Sequence, residues 1–210
     1  MSKNKNSLLK LFVESVLREA ATPVTTATQQ GLALYIQDVG SGTKFVLYKP
    51  QHYVEFLKEN PAVNMADDPA GIVAFFQTAA GPADSCSGAS EVSVSSAQKG
   101  YGPLMYDIVM SHTGLIMADR SNITPAAANI WAYYAKRTDV EKVALDANDC
   151  KTFDDQPALN YAFKMVQPVN YAQLIANHNA CVKSLDPSDA SGFVQNLPAV
   201  GVAFFDSVYA

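Results

Sequence analysis

The sequence predicts an α/β protein in which a mixed central sheet of about six or seven strands is flanked by helices and preceded by an appended amphipathic helix. Three observations support this fold class. Strand-like and helix-like runs alternate through most of the 210 residues. One run, "EVSVSSA", alternates polar and apolar residues as a strand with one covered face does. One helix carries both start signals, Thr124 as N-cap and Pro125 at the first helical position.

The N-terminal residues 8–20, "LLKLFVESVLREA", predict a short amphipathic helix that is too polar for a secretory signal. Its apolar residues fall on one stripe: Leu9, Phe12, Val13 and Val16. The segment "ATPVTTATQQG" that follows is rich in threonine and contains proline, as linkers often do. We therefore expect an appended helix over residues 1–20, a linker over 21–30 and the main domain over 31–210.

The main domain begins with a hairpin predicted over residues 32–50, where two β-rich runs flank Gly40-Ser41-Gly42. A helical or irregular piece follows from Tyr53 to Glu59. The run "GIVAFFQTA" predicts a buried strand, "DSCSGAS" predicts a loop of small residues, and "EVSVSSA" predicts the next strand.

The second half alternates helices and strands. A helix is expected from Pro103 to about His112, then a strand in "GLIMADR", the helix that begins after Thr124, and strands in "EKVALD" and "LNYAFKMV". The inward face of the helix after Thr124 is predicted from spacing: Ala127, Ile130, Trp131 and Tyr134. The segment "NYAQLIANHNACVKSL" predicts a further helix, and we expect the apolar C-terminal "VGVAFFDSVYA" to dock onto the sheet.

Composition excludes several classes of function. The net charge of -5 gives no electrostatic reason to expect nucleic acid as a partner, and no apolar run approaches the roughly 20 residues that span a bilayer. Cys86, Cys150 and Cys181 are odd in number and far apart, which disfavours zinc or a disulfide framework and fits a reducing cytosol. His178 lies three residues before Cys181, but no second pair accompanies them, so no metal site is predicted.

The glycine turn, Lys99–Gly102, is the candidate site. A strand that ends in such a turn and opens a helix leaves backbone N–H groups without partners, and with the helix dipole these groups can bind phosphate or pyrophosphate. Gly100 and Gly102 lack a Cβ, so a ligand can approach the main chain. The alternative is a tight connection that binds no ligand. Neither the P-loop pattern nor the dinucleotide-binding fingerprint is present.

The segment "SSAQKGYGPLMYDIVM" resembles the pyrophosphate-binding segment of the GNAT-type N-acetyltransferases, in which a strand, the motif Q/R-x-x-G-x-G/A and a helix hold coenzyme A by its pyrophosphate. The resemblance implies an acetyltransferase-like arrangement of the sheet and acetyl-coenzyme A as a ligand. The residues it assigns to the ligand are Gln98, Lys99, Gly100, Tyr101 and Gly102. Ala97 occupies the position of the family's Arg or Gln, which removes one side-chain contact.

The same resemblance suggests catalytic residues. In that family a tyrosine of the next helix protonates the leaving thiolate, and Tyr134, on the predicted inward face, is the candidate acid; the alternative is a core tyrosine. The family's Gly-Phe after this tyrosine is absent. Glu91 opens the strand before the glycine turn and is the candidate base, directly or through water; the alternative is a solvated charge. Asp119-Arg120 end the next strand, either at the ligand edge of the sheet or as a surface salt bridge.

A longer stretch, "KGYGPLMYDIVM…GLIMADRSNITPAAANIWAYYAKRTDVEKVALD", is similar to a family of proteins encoded by tailed bacteriophages that are acetyltransferase-like. It implies a location in the host cytoplasm or the virion. The first expected function is therefore the binding of acyl-coenzyme A and acyl transfer to an amine. The alternative is a virion structural or packaged protein without chemistry, which contacts other virion proteins through its N-terminal helix. Leu17–Ala20 resemble a processing signal cut after Leu-x-Glu, here after Glu19.

Overall fold

The computed structural model of the chain describes residues 23–60, 65–80, 86–121 and 123–209. The predicted helix over residues 8–20 and the proposed cleavage after it lie outside these residues. The predicted fold class is confirmed, because the described chain forms a mixed seven-stranded sheet flanked by helices.

The sheet and the helices account for most of the described residues. The strands are β1 (Ala33–Asp38), β2 (Gly42–Tyr48), β3 (Ile72–Ala79), β4 (Ser90–Ala97), β5 (Ile116–Ala118), β6 (Val140–Ala144) and β7 (Tyr161–Met165). The helices are α1 (Val24–Gln29), α2 (Pro50–Glu59), α3 (Gly102–Thr113), α4 (Pro125–Tyr134), α5 (Ala172–Ser184) and α6 (Pro187–Tyr209).

The strands lie in the order β1-β2-β3-β4-β5-β7-β6. Neighbours from β1 to β4 are antiparallel, and β7 lies antiparallel between β5 and β6. The single parallel pair of the described sheet is β4 with β5. A parallel pair needs a crossover, and α3 supplies it, so the glycine turn comes at the carboxyl end of a strand that feeds a helix.

The predicted elements of the main domain are found with shifted ends, and two helices differ from expectation. The predicted linker contains α1, whose Ala27 is fully buried. The apolar C-terminal segment is the end of the 23-residue helix α6, and it does dock onto the sheet: Phe204 is buried, and Gly201 packs against the ring of Phe75. Thr124 caps α4 as predicted, since its Oγ1 accepts a hydrogen bond from the N–H of Ala127 at 3.2 Å.

The sheet has a core on each face. In the first core α3 and α4 cover the sheet, with Trp131 stacked on Phe163 at 5.5 Å between ring centroids. In the second core α2 and α6 cover the opposite face, where Phe193 packs against Tyr48 and Tyr53. Helix α5 packs on β1 and contributes side chains to both cores.

Strand β4 extends beyond the end of β5. Only Ser90, Glu91 and Val92 pair with β5, which ends at Ala118, although β4 continues to Ala97. A β-bulge follows on β4: Val92 pairs with Thr78 and Val94 with Gln77, so Ser93 is an extra residue. A bulge bends its strand and increases the local twist. Because β5 ends opposite Val92, the edge of β4 over residues 94–97, called the open edge below, has no strand partner on the β5 side in the described chain.

The expectation of a chain without disulfides is wrong. Cys86 and Cys150 form a disulfide with an S–S distance of 2.06 Å, and Cys181 is the free thiol that makes the count odd. The two half-cystines are 64 residues apart in sequence. The fold brings them together, because Cys86 precedes β4, Cys150 follows β6, and both pack with Met117 and Ala162 in one small apolar cluster.

Candidate anion-binding site

Gln98 anchors the glycine turn to the neighbouring strand. Its backbone N–H donates to the carbonyl of Val73 at 2.7 Å, and its side-chain Nε2 donates to the carbonyl of Ile72 at 2.7 Å. The first bond continues the ladder between β3 and β4, and the second adds a side-chain contact to β3. The Gln98 side chain, which the sequence predicts as a ligand contact, is thus engaged with the protein.

The two glycines of the turn have different roles. Gly100 has φ of 87°, in the left-handed region that glycine adopts at low energetic cost. Gly102 begins α3, and a Cβ built on it meets no atom within 4 Å. Gly100 therefore lets the chain turn, and the space beside Gly102 is open to an approaching ligand.

Three backbone N–H groups at this junction have no hydrogen-bond acceptor among the described residues: those of Gly100, Gly102 and Leu104. The N–H of Tyr101 is bonded to the carbonyl of Gln98 at 3.1 Å. Pro103 has no N–H to satisfy. The prediction of unpaired amides near residue 100 thus holds for both glycines and for Leu104, and it is wrong for Gln98 and Tyr101.

Lys99 and Tyr101 complete the turn. Lys99 is exposed and brings a positive charge to the turn. The hydroxyl of Tyr101 donates to the side-chain oxygen of Gln30, and its ring packs against the first core. Tyr101 thereby ties the turn to the end of α1, the helix found inside the predicted linker.

Tyr134, the predicted acid, lies in the first core with 1% of its surface exposed. Its hydroxyl lies 3.0 Å from the carbonyl oxygen of Pro103 and 3.0 Å from Oδ1 of Asp107. Burial, followed by the negative charge of Asp107, raises the pKa of Tyr134 well above its ordinary value. The hydroxyl is a fixed donor to the first turns of α3.

Asp107 belongs to a buried charge network. Its carboxylate receives hydrogen bonds from Nη1 and Nη2 of Arg137 at 2.6 and 3.2 Å. Nε and Nη2 of Arg137 also donate to Asp139, at 2.9 and 2.6 Å. Burial raises the pKa of Asp107, although Arg137 opposes this shift. Burial alone would lower the pKa of Arg137, but its bonds to Asp139 and Asp107 raise it above the ordinary value.

Glu91, the predicted base, lies at the start of β4 and is partly exposed. It pairs in register with Met117, and β5 ends opposite Val92, well before the end of β4. Asp119 and Arg120 therefore lie close to Glu91, whereas the sequence predicted them beside the glycine turn. Burial and then the charge of Asp119 raise the pKa of Glu91, while Arg120 opposes the shift. Arg120 itself is 9% exposed and donates to the carbonyls of Ala118, Lys151 and Leu159, so it is not a surface salt bridge.

The structure separates the two predicted catalytic residues. Tyr134 contacts the first turns of α3, beyond the carboxyl end of β4, whereas Glu91 lies near the amino end of that strand. Six residues from Glu91 to Ala97, at about 3.3 Å each, span about 20 Å. An acid and a base that act on the same reacting carbon must both lie within hydrogen-bond reach of it, so these two cannot form one catalytic pair.

Sequence reasoning missed Asp107 and Arg137. The available signal was a single aspartate inside the apolar run "LMYDIVM", since a charge on a buried helix needs a partner. That signal gives no information on which cation pairs with it, because Arg137 is 30 residues away.

A surface depression of about 460 Å³ lies elsewhere, between α1 and the start of α5, and is lined by Val24, Thr28, Asn170 and Gln173. The glycine turn is instead a partly exposed junction, so a ligand there would bind against the surface of the protein.

The fold and the junction define an α/β protein with a candidate site for an anion at a helix N-terminus. Compared with family models, with curated proteins and with solved structures, the chain matches none of them. Within the described ranges, no helix combines the length and apolar character that crossing a bilayer requires. These residues also contain no group of three or more His, Cys, Asp or Glu side chains placed to hold a metal ion.

Proposed function

We propose that the chain binds acyl-coenzyme A through its phosphates at the glycine turn. The observation that carries the proposal is the set of three unpaired N–H groups, those of Gly100, Gly102 and Leu104, at the start of a 12-residue helix. Backbone donors that converge at a helix N-terminus bind phosphate oxygens, and the helix dipole favours the negative charge. The exposed Lys99 adds to this attraction.

The open edge of β4 provides a path for the rest of an elongated ligand. It leads from the glycine turn toward Glu91, and no strand covers it on the β5 side in the described chain, so the arm of the ligand can lie along it. Acyl-coenzyme A would supply an acyl group activated as a thioester. Glu91, with its raised pKa, would accept the proton of the amine as the C–N bond forms. The C–S bond of the thioester would then break, and coenzyme A would leave as a thiolate that takes this proton back from Glu91 or from water.

The binding test uses a charge placed in the open space beside Gly102. Gly102→Asp adds a carboxylate near the unpaired amides. The helix dipole stabilises this carboxylate, and its negative charge repels a phosphate. Calorimetric titration with acetyl-coenzyme A should give micromolar binding to the wild type, at least tenfold weaker binding to Gly102→Asp, and little change for the matched Gly102→Asn. An unchanged melting temperature in Gly102→Asp would assign the loss to the site. No binding by the wild type at millimolar ligand would reject the proposal.

The transfer step has a separate test. Glu91→Gln keeps the shape of the side chain but cannot take up the proton, so acetylation of a panel of primary amines should fall at least a hundredfold while affinity for acetyl-coenzyme A stays within a factor of about two. Equal transfer rates for the variant and the wild type would remove Glu91 from the reaction.

A second function, that of a virion component without chemistry, is favoured by the disulfide. Cys86–Cys150 suits a protein that works outside the reducing cytosol, and disulfides persist on virion surfaces. The distance between Glu91 and Tyr134 also fits a protein that has the site but lacks a catalytic pair. Mass spectrometry of purified phage particles tests this function. Recovery of the chain, beginning at Ala20, would support packaging with processing, and absence from particles would reject it.

A further inference from the structure

We infer that Tyr134 is a positioning residue, which orients the N–H of Leu104 toward the bound phosphate by holding the carbonyl of Pro103. The inference rests on the proposed phosphate site. It adds to that site the residue that sets the orientation of one of its N–H donors. It reassigns the buried tyrosine that the sequence presents as an acid.

One peptide group links Tyr134 to the glycine turn. The carbonyl of Pro103 and the N–H of Leu104 belong to the same planar unit, which is trans, so the two groups point in opposite directions. Tyr134 holds the oxygen end of this unit from the first core at 3.0 Å. The N–H end is one of the three donors without an acceptor among the described residues. Fixing the oxygen therefore fixes the direction of the free N–H.

The hydroxyl of Tyr134 is itself fixed. It lies 3.0 Å from Oδ1 of Asp107, and the same oxygen is held by Nη1 of Arg137 at 2.6 Å. The guanidinium of Arg137 lies over the ring of Tyr134, 5.0 Å from its centroid. Asp139 holds the other side of that guanidinium. Asp107 therefore fixes the hydroxyl of Tyr134, and Arg137 fixes its ring.

Position also excludes the acid role for Tyr134. The hydroxyl is enclosed in the first core, and a proton donor must touch the reacting atoms. A hydrogen bond to the carbonyl end of a peptide unit polarises that unit, so its N–H becomes a stronger donor. Tyr134 can thus strengthen phosphate binding without contact with the ligand.

The test compares Tyr134→Phe with Tyr133→Phe. Both changes remove one hydroxyl from neighbouring tyrosines, but the hydroxyl of Tyr133 has no hydrogen-bond partner among the described residues. Affinity for acetyl-coenzyme A, and for inorganic pyrophosphate as the minimal probe, should fall about five- to tenfold in Tyr134→Phe and stay unchanged in Tyr133→Phe. The ¹H–¹⁵N resonance of Leu104 should move only in Tyr134→Phe.

Each outcome decides the inference. If the wild type binds both probes and Tyr134→Phe binds them equally well, the positioning role is wrong and the phosphate site stands. If the wild type binds neither probe, both are wrong. If Tyr134→Phe does not fold, Asp107→Asn replaces it. This change weakens the acceptor that shares the single Tyr134 proton with the Pro103 carbonyl, so the bond to Pro103 should strengthen. Unchanged affinity and an unmoved Leu104 resonance would then overturn the inference.

Discussion

Asp107 of α3 and Arg137, just beyond α4, form a bidentate ion pair in which Nη1–Oδ1 is 2.6 Å and Nη2–Oδ2 is 3.2 Å. The Asp107 residue is only 9% exposed, so the pair joins two helices in the first core away from bulk water. We expect this ion pair to stabilise the folded protein.

Asp107→Ala should lower the free energy of unfolding by about 3 kcal/mol, because it removes the buried carboxylate that the Arg137 guanidinium and the Tyr134 hydroxyl share. Urea denaturation followed by circular dichroism measures the loss. Asp139→Ala is the control, since the Asp139 side chain is 58% exposed and should contribute about 0.5 kcal/mol. Equal losses in both variants would contradict a special role for Asp107.

Loss of the disulfide should lower the free energy of unfolding by about 4 kcal/mol, because Cys86 and Cys150 close a loop of 64 residues and restrict the unfolded chain. Thermal melts with and without a dithiol reductant measure the effect. The double variant Cys86→Ser/Cys150→Ser should melt lower than the oxidised wild type and should not respond to reductant. A wild type whose melting is insensitive to complete reduction would show that the bridge contributes nothing.

Two glycines of α6 should respond oppositely to alanine. A Cβ on Gly201 would lie 2.4 Å from Cδ2 of the buried Phe75, so Gly201→Ala should destabilise the protein by about 2 kcal/mol. A Cβ on Gly192 meets no atom within 4 Å, so Gly192→Ala should stabilise the same helix by about 0.5 kcal/mol. Chemical denaturation of both variants compares them directly. A neutral Gly201→Ala would mean that α6 does not pack closely on β3.

Acidification should destabilise the protein through His178. This side chain lies in the second core, where Nδ1 is 2.7 Å from the hydroxyl of Tyr48, and burial lowers its pKa from the ordinary 6.5. The unfolded chain therefore takes up a proton first, so stability falls as the pH drops from about 6.5 toward the folded pKa. The melting temperature at pH 5.5 minus that at pH 7.5 should be less negative in His178→Gln than in the wild type. Identical differences would exclude His178 as the source.

The sequence predicts what local patterns encode. Thr124 and Pro125 mark the start of α4, and the glycines at 100 and 102 mark the strand–turn–helix junction, because capping and positive φ depend on adjacent residues. The two free glycine amides follow from the same local geometry. The bonded amides of Gln98 and Tyr101 could not be predicted in this way. The acceptor for Gln98 lies on β3, and the bond of Tyr101 depends on how the turn closes.

Contacts between residues that are far apart in the sequence could not be predicted from local patterns. The pairing of Cys86 with Cys150 depends on the strand order, and the odd cysteine count concealed it. The position of Tyr134 on an inward face was predicted, but its place against α3 was not. The alternation in "EVSVSSA" likewise suggested Val92 and Val94 on a single face, whereas the bulge directs them to opposite cores.

Ser93 can therefore be regarded as a single residue inserted into β4. If it were deleted, Val92 and Val94 would become neighbours and would still face opposite sides, as adjacent residues of any strand do. No buried side chain would change place, but β4 would lose the bend that the bulge gives it. A single extra residue, neutral for the interior, thus bends β4 at the point where its open edge begins.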